Sequence, residues 1–281
     1  MNVSIFHDMT CKLPLPGLLE GVANLIRSDE KLAVFTRSYR QTGSKTFKNE
    51  SQLFAVPCLF EGGKGRSNIR QLTGMSLVDF DHVVPHTEEQ FKSHTDSTDF
   101  TDAETVLIND SISSEGAKSV RSVRSVCHDT TKFLNELKAK IIADPHTLMS
   151  YITMSGNGLR VIFTYEIAPE FSGVPKDEEE VKKFEAYYQQ AFYAGNAYYE
   201  KLLGAKADMQ CKNITRLSGL AHDPDVFLRP EAEVVPFTAE EISTAAASYA
   251  KQSKEDVSIR STPYCISQKN VVTLHGGIIF L

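Results

Sequence analysis

The clearest hydrophobic pattern lies around the sequence Ser-Gly-Asn-Gly at residues 155–158, which is flanked on both sides by apolar runs. Asn-Gly between two runs of strand-forming residues is typical of a β-hairpin. Side chains alternate along a strand, so positions 159, 161, 163 and 165 would share one face, and Arg160 would lie on the other. The pattern predicts paired strands over 149–154 and 159–166.

Apolar residues at helical spacing predict four helices. The first follows Pro16, a residue that suits the first turn of a helix. The second follows Asp129 as its N-cap, and the third runs from the acids at 177–180 to Gly204, with a buried stripe along one side. The fourth opens with the capping-box pair Thr238 and Glu241. The predicted stripe of the third helix is Val181, Phe184, Tyr188, Ala191, Tyr198 and Leu202.

Short apolar runs predict the remaining strands, at 31–36, 55–60, 76–81 and 214–221. Pro57 makes the second of these an edge strand, and residues 37–52 are expected to form a basic loop. The order from residue 76 to 221 is strand, helix, strand, strand, helix, strand. This order favours an α+β fold with a split βαβ core, in which the first and last strands would be central neighbours.

The length of the chain allows one large domain or one domain plus an appendage, and we expect the domain over residues 1–235 and a helix with an irregular tail over 236–281. Residues 94–128 are rich in Ser, Thr, Asp and Val without hydrophobic periodicity, and we expect a poorly ordered insertion there. From about Lys251 we expect a linker or an irregular tail after the last helix. No signal peptide and no membrane-spanning apolar run are recognisable, so a cytoplasmic location is expected. Five scattered cysteines without CxxC pairs indicate reduced, structural thiols.

The formal net charge of −6 argues against bulk attraction to nucleic acid. Basic residues are nevertheless concentrated between residues 31 and 70, where a local face could bind phosphates. A solvated basic loop explains the same residues. The candidate nucleic-acid-binding residues are Arg37, Arg40, Lys48, Arg66 and Arg70.

Asp79 and Asp81 end the predicted strand Ser-Leu-Val-Asp-Phe-Asp at residues 76–81. Two carboxylates on one strand face repel each other, and a divalent cation would neutralise them. A polar strand end facing water is the simpler alternative. Metal-dependent glycosyltransferases also use this Asp-x-Asp pattern, but the N-terminal helix and edge strand are too small for the nucleotide-binding unit that would precede it. Haloacid-dehalogenase phosphatases use the pattern too, but the hairpin-centred order of elements fits them poorly.

Four features occur in one order along the chain: Asp-x-Asp at 79–81, Ser-Gly-Asn-Gly-Leu-Arg at 155–160, Asp208 after a long helix, and Arg216 before His-Asp-Pro-Asp. This order resembles the archaeo-eukaryotic primase superfamily over residues 1–235. It is most similar to the primase-like N-terminal domain of mobile-element proteins, the VirE N-terminal or BT4734-like group. The resemblance implies an RRM-like split βαβ catalytic sheet packed with a smaller N-terminal α/β unit.

The resemblance also implies a two-metal nucleotidyltransferase of a mobile-element or phage replication system. Asp79, Asp81 and Asp208 would be the catalytic residues, holding two Mg²⁺ or Mn²⁺ ions. Single-stranded DNA and nucleoside triphosphates would be the partners, and a helicase or ATPase would be supplied separately, because no phosphate-binding P-loop occurs in this chain. The residues that would contact the nucleotide are Ser155, Gly156, Gly158, Arg160 and Arg216.

Arg160 departs from the superfamily, which has a histidine at this position. Arginine can bind phosphate oxygens bidentately, but it cannot titrate near neutral pH as histidine does. The departure keeps a second function open, namely a non-catalytic module of a replication protein that binds nucleic acid or nucleotides.

Overall fold

The computed structural model describes residues 1–81 and 132–261, with side chains up to residue 251. Within these ranges the fold is α+β, as expected. In chain order the elements are β1 Asn2–Phe6, β2 Leu15–Leu18, α1 Leu19–Ser28, α2 Glu30–Thr42, α3 Lys45–Glu50, β3 Leu53–Ala55, β4 Cys58–Phe60, β5 Ile69–Leu72, β6 Met75–Phe80, α4 132–143, β7 Thr147–Ile152, β8 Leu159–Thr164, α5 Glu178–Leu203, β9 Leu217–Gly219, β10 Phe227–Leu228 and α6 Ala239–Ser261.

The strands form two four-stranded antiparallel sheets and one small hairpin. The N-terminal sheet has the order β2-β1-β3-β9, and the second sheet has the order β10-β7-β8-β6. Strands β4 and β5 pair with each other. The second sheet contains the predicted hairpin, β7 and β8, and strand β6 pairs along the whole length of β8.

Two hydrophobic clusters cover the two faces of the second sheet. On one face, Val161 and Phe163 of β8 pack in the cluster that contains Tyr188 and Phe192 of α5. On the other face, Ile162 belongs to the cluster that contains Ile26 of α1. This second cluster also contains Phe54 of the N-terminal sheet. The alternation predicted for residues 159–165 is confirmed, and the face that carries Arg160 is the one turned toward the N-terminal sheet.

Several predicted elements are confirmed with small changes of register. Helix α5 begins after Asp177, whose carboxylate accepts a hydrogen bond from Glu180 N, and ends at Gly204 in the left-handed conformation at φ 68°. Its buried stripe ends in Tyr199 and Leu203 instead of the predicted Tyr198 and Leu202. The Thr238–Glu241 capping box forms in both directions.

The prediction was wrong for residues 31–36 and 37–52, which form helices α2 and α3 instead of a strand and a loop. The capping residues explain α2, because Asp29 accepts a hydrogen bond from Leu32 N and Gly43 ends the helix at φ 67°. These local signals outweigh the β propensity of the short Val-Phe run.

Three further predictions require correction. Pro16 lies in strand β2, so the first helix begins only at Leu19. The strand predicted at 214–221 is reduced to Leu217–Gly219, and it pairs with β3 instead of with β6. Helix α6 continues through Ser261, where a linker or tail was expected from Lys251. Asp129 and the insertion predicted at 94–128 lie outside the described residues.

Candidate functional site

A buried ion pair lies at the place where β6 and β8 meet. The strand register puts Asp79 opposite Arg160, so both side chains leave the same face of the sheet. Arg160 Nε and Nη2 each lie 3.2 Å from Asp79 Oδ2. The Asp79 side chain is 3% exposed and the Arg160 side chain 14%. The first carboxylate of the Asp-x-Asp sequence is therefore already neutralised by a residue of the chain itself.

Arg160 also reaches the N-terminal sheet. Its Nη1 donates to Gly219 O at 2.6 Å and to Ser218 Oγ at 3.2 Å, both on β9. Burial by itself would lower the pKa of Arg160, but the negative charge of Asp79 and the Tyr151 hydroxyl raise it above its ordinary value. The guanidinium therefore stays charged and links three strands of two different sheets.

The two carboxylate oxygens of Asp79 have different surroundings. Oδ2 accepts the Arg160 hydrogen bond, and Cys211 Sγ lies 3.9 Å away. Oδ1 is buried and has no hydrogen-bond partner among the described residues. An unpaired buried acceptor is costly, so this oxygen is the atom of the pair that is best suited to receive a ligand.

Asp208 lies beside Asp79, as the sequence predicts, although the contact is made by the backbone. Asp208 N donates to Asp79 O at 2.7 Å, across the edge of β6. Its carboxylate Oδ1 caps the short 3₁₀ turn Met209–Lys212 by accepting from Gln210 N at 2.9 Å. Asp81 follows the end of β6 and is exposed. The backbones of the three predicted residues therefore lie near one another at the end of β6, but their carboxylates are not grouped.

The hairpin loop packs directly against the end of β6. A methyl group on Gly158 would lie 2.4 Å from Phe80 O and 3.3 Å from the Cα of Asp81, so only glycine allows this approach. Gly156 is in the left-handed conformation at φ 79°. Ser155 lies in the same loop, with its Oγ 3.0 Å from Thr153 Oγ1. The Ser-Gly-Asn-Gly loop and the Asp-x-Asp end therefore form one surface.

Arg40 of α2 holds the hairpin loop from the other side. It donates from Nε to Met154 O at 3.2 Å and from Nη2 to Thr153 O at 3.3 Å. Burial lowers the pKa of Arg40, and the charge of Asp223 partly offsets this effect. Arg40 was predicted as a nucleic-acid contact, but in the structure its guanidinium is engaged with the loop backbone.

The other predicted basic residues separate into two groups. Arg66 forms an ion pair with Glu185, and Arg70 forms one with Glu61 at 3.4 Å. Arg37 and Lys48, on α2 and α3, are exposed and make no ion pair within residues 1–81 and 132–251. Arg37 lies on α2, the helix that also carries Arg40, and Lys48 lies on the following helix, α3.

Arg216 is exposed, and its positive charge acts on Cys211 beside the ion pair. Burial, followed by the charge of Asp79, raises the pKa of Cys211 to about 12, against the lowering effect of Arg216 and Arg160. Cys211 was predicted only as a structural thiol, and its position next to Asp79 was not expected.

The fit of the carboxylates to a metal ion is incomplete. In the part of the chain that the structure describes, no three His, Cys, Asp or Glu side chains are grouped so that they could hold a metal ion. Asp79 Oδ1 has no hydrogen-bond partner among the described residues but is buried, and Asp81 is exposed. Asp208, by contrast, uses one oxygen for its own cap. The set of ligands is suitable for Mg²⁺ or Mn²⁺, but this conformation does not preassemble it.

A second buried ion pair was not predicted. Asp223 Oδ2 accepts from Lys138 Nζ at 2.8 Å and from Ile152 N at 2.9 Å, and Oδ1 accepts from Asp225 N at 3.0 Å. The His-Asp-Pro-Asp sequence at 222–225 was interpreted only as a turn. The signal that could have found the pair is Lys138 itself, since it follows Leu134 by four residues and precedes Ile141 by three, on the buried stripe of α4.

Residues 126–228 match the family described as "BT4734-like, N-terminal domain". The match contains the hairpin, Asp208 and Arg216, whereas Asp79 and Asp81 lie before it. No curated protein and no solved structure matches the chain. In the described parts, none of the helices combines the length and the apolar character needed to span a bilayer.

Proposed function

We propose that this chain is a primase-like nucleotidyltransferase that adds nucleotides on single-stranded DNA in the replication of a mobile element or phage. The observation that carries the proposal is the contact between the Asp-x-Asp end of β6, the hairpin loop and Asp208. These segments are far apart in sequence, yet they meet at the carboxyl-terminal end of β6. The order of these segments is the one that resembles primases, and the family match covers the later two.

In this proposal Mg²⁺ or Mn²⁺ would be held by Asp79, Asp81 and Asp208. When bound, such ions activate a hydroxyl and neutralise triphosphate charge. The support for this assignment is that Asp79 Oδ1 has no hydrogen-bond partner among the described residues, although the atom is buried. Because the carboxylates are not grouped in the described conformation, Asp81 and Asp208 would need new side-chain positions to complete the site.

The nucleotide would lie against the hairpin loop. Ser155 would offer a hydroxyl to the phosphates, whereas the space beside Gly156 and Gly158 is already filled by Arg40 and by Phe80 O. Arg216 is an exposed cation on the same side as Cys211 and Asp208, where it suits the triphosphate. Arg37 and Lys48 on α2 and α3 offer unpaired charge to the phosphates of the DNA strand. A helicase or ATPase would act as a separate partner.

A second candidate function is a non-catalytic module that binds single-stranded DNA or nucleotides. The specific observation in its favour is the Asp79–Arg160 ion pair. A carboxylate that is neutralised by arginine is a weaker metal ligand than a free one. This module would use the same loop and the same basic helices.

The deciding experiment is incorporation of radiolabelled nucleotides on single-stranded DNA in Mg²⁺ and in Mn²⁺. We expect incorporation by the wild type and a loss of at least about a hundredfold in Asp79→Asn/Asp81→Asn, as is typical when metal-binding carboxylates are removed. The matched control is Asp177→Asn, which removes the cap carboxylate of α5 and should retain activity.

The two candidate functions give different outcomes in this assay. Wild-type protein that binds single-stranded DNA but incorporates nothing in either metal would favour the binding module, especially if Arg37→Gln/Lys48→Gln weakens the binding. Incorporation that survives the double aspartate substitution would show that the catalytic site lies elsewhere.

A further inference from the structure

The loop of the β7–β8 hairpin has neighbours of opposite charge on its two sides. On the β8 side, Gly158 packs against Phe80 O, and the exposed Asp81 follows at the end of β6. On the β7 side, the guanidinium of Arg40 lies against Gly156, where an added methyl group would be 3.1 Å from Nε. One side of the loop is therefore acidic, and the other side is basic.

Arg40 is held in place by the loop and still has donors to spare. Its Nε donates to Met154 O at 3.2 Å and its Nη2 to Thr153 O at 3.3 Å. These bonds use one edge of the planar guanidinium, and Nη1 has no hydrogen-bond partner among the residues that the structure describes. The negative charge that acts on Arg40 is that of Asp223, which is already paired with Lys138. The exposed Arg40 therefore offers the edge formed by Nη1 and Nη2 to an outside acceptor.

Arg37 adds a second positive charge on the same side of α2. Residues three apart on a helix are surface neighbours, with Cβ atoms about 5–6 Å apart, so Arg37 and Arg40 form one basic strip. Both are exposed, and neither forms an ion pair within residues 1–81 and 132–251. A guanidinium edge matches the spacing of two phosphate oxygens, so phosphate is the ligand that this strip suits best.

We infer that Arg37 and Arg40 form a site for the phosphodiester groups of single-stranded DNA, on the β7 side of the hairpin loop. Arg40 then has two roles, because one edge of its guanidinium holds the loop and the other binds a phosphate. The inference rests on the proposed function for the identity of the partner, and it adds the place of the strand, against α2 and away from the carboxylates at the end of β6. A short basic strip on a protein of net charge −6 suits one strand better than a duplex.

The test is binding of fluorescently labelled oligo(dT) to the full chain, measured by anisotropy at several salt concentrations in EDTA. For single-stranded DNA, the slope of log affinity against log salt changes by about 0.7 for each phosphate contact. We expect Arg37→Gln and Arg40→Met each to flatten the slope by about 0.7, which makes binding at 0.1 M salt about fivefold weaker if binding at 1 M is unchanged. Arg27→Met is the matched control, since Arg27 is also exposed and donates to a backbone carbonyl, Val226 O, and it should keep the wild-type slope.

Two variants separate the two roles of Arg40. Arg40→Lys keeps the charge but loses the planar fork, so it should retain most of the salt slope while the amide resonances of residues 155–158 shift in NMR spectra. Arg37→Gln should do the reverse, flattening the slope and leaving these resonances unchanged. Because Arg37 is exposed and unpaired in the described ranges, its substitution keeps the inference testable if Arg40→Met fails to fold by circular dichroism.

The outcomes separate this inference from the proposed function. Wild-type slopes in Arg37→Gln and Arg40→Met, with nucleotide incorporation intact, would overturn the DNA site alone. Weaker binding of dATP with unchanged binding of oligo(dT) in these variants would also overturn it, because the phosphate would then belong to the nucleotide. Flattened slopes in a protein that incorporates no nucleotide would support the DNA site and count against catalysis.

Discussion

The two buried ion pairs of this protein both contact the β7–β8 hairpin, but they are built differently. Lys138 and Asp223 are 7% and 4% exposed, and both oxygens of Asp223 accept hydrogen bonds. Arg160 and Asp79 are 14% and 3% exposed, and one oxygen of Asp79 has no partner in the described chain. The first pair is complete and the second is not.

The difference indicates which pair serves the fold and which serves a ligand. Asp223 joins the end of β7, through Ile152 N, to α1, through its own amide and Ile26 O. It thereby fixes the strand that leads into the hairpin loop. Asp79 has no comparable set of structural partners, and it lies beside the loop and Asp208. Incomplete hydrogen bonding in a well-packed protein is a reason to expect a function.

The largest expected effect in this comparison is that of Asp223→Asn. The substitution leaves the Lys138 ammonium buried without a counter-charge, and the expected loss of unfolding free energy is about 3–5 kcal/mol. Urea unfolding followed by circular dichroism would measure the loss. Lys138→Met/Asp223→Leu removes both charges and should cost clearly less than the single substitution. If Asp223→Asn lost less unfolding free energy than the double variant, the contrast between the two ion pairs would be contradicted.

The next largest loss of stability is expected for Gly158→Ala, in the β7–β8 hairpin loop. The added methyl group would lie 2.4 Å from Phe80 O, a backbone atom that cannot rotate away. We expect a loss of roughly 1–3 kcal/mol, together with a changed amide environment at Asp81 in NMR spectra. Gly195→Ala is the matched control, because its methyl group meets the Phe163 ring in the core. If Gly195→Ala perturbs Asp81 equally, the loop is not coupled specifically to the site.

The hairpin and helix α5 could be predicted because their signals are local. Asn-Gly between apolar runs specifies the turn, and Asp177 and Gly204 mark the two ends of α5. Helix α2 was missed because its short apolar run has no strong periodicity, and its N-cap Asp29 and terminal Gly43 are the stronger evidence. For α2, the capping residues predict the structure better than the β propensity of the Val-Phe run.

The contacts of the site could be predicted only in part. Asp208 was expected to lie near Asp79 because the strand that follows it would pair with β6. Asp208 does contact Asp79 through its backbone, but the following strand, β9, pairs with β3 in the other sheet. The partner of Arg160 depends on the register between β6 and β8, and a shift of one residue would have turned Arg160 away from Asp79. Lys138 and Asp223 are separated by 85 residues, and no local pattern links them.

Asp79→Asn is expected to cost less than Asp223→Asn, roughly 1–2 kcal/mol, because Arg160 keeps its hydrogen bonds to Gly219 O and Ser218 Oγ and is more exposed than Lys138. The substitution also removes a buried charge, one oxygen of which has no hydrogen-bond partner among the described residues. Urea unfolding measures both losses of unfolding free energy, and both variants replace one buried aspartate by asparagine. A loss as large as that of Asp223→Asn would show that Asp79 is mainly structural, contrary to the contrast between the two pairs.

The smallest expected effect is on the reactivity of Cys211. Burial and the charge of Asp79 raise its pKa to about 12, so little thiolate is present at pH 8 and alkylation by iodoacetamide should be slow. Cys58 is the internal control, since burial alone raises its pKa. Asp79→Asn removes one of the causes that raise the pKa of Cys211 and none of those that raise the pKa of Cys58. The ratio of Cys211 to Cys58 labelling, measured by mass spectrometry of the peptides, should therefore rise a few-fold.

The pH dependence of folding stability is a second test of how the charge of Asp79 acts on Cys211. The folded pKa of Cys211 lies above its unfolded value of about 8.5, so the thiol contributes stability that is fully present below that pH and declines as the pH rises toward 12. Asp79→Asn lowers the folded value and should reduce this alkaline loss of stability. An unchanged labelling ratio and an unchanged alkaline profile would show that the negative charge of Asp79 is already fully cancelled by Arg160 at the distance of Cys211. In that case Asp79 and Arg160 would act on Cys211 as a neutral pair.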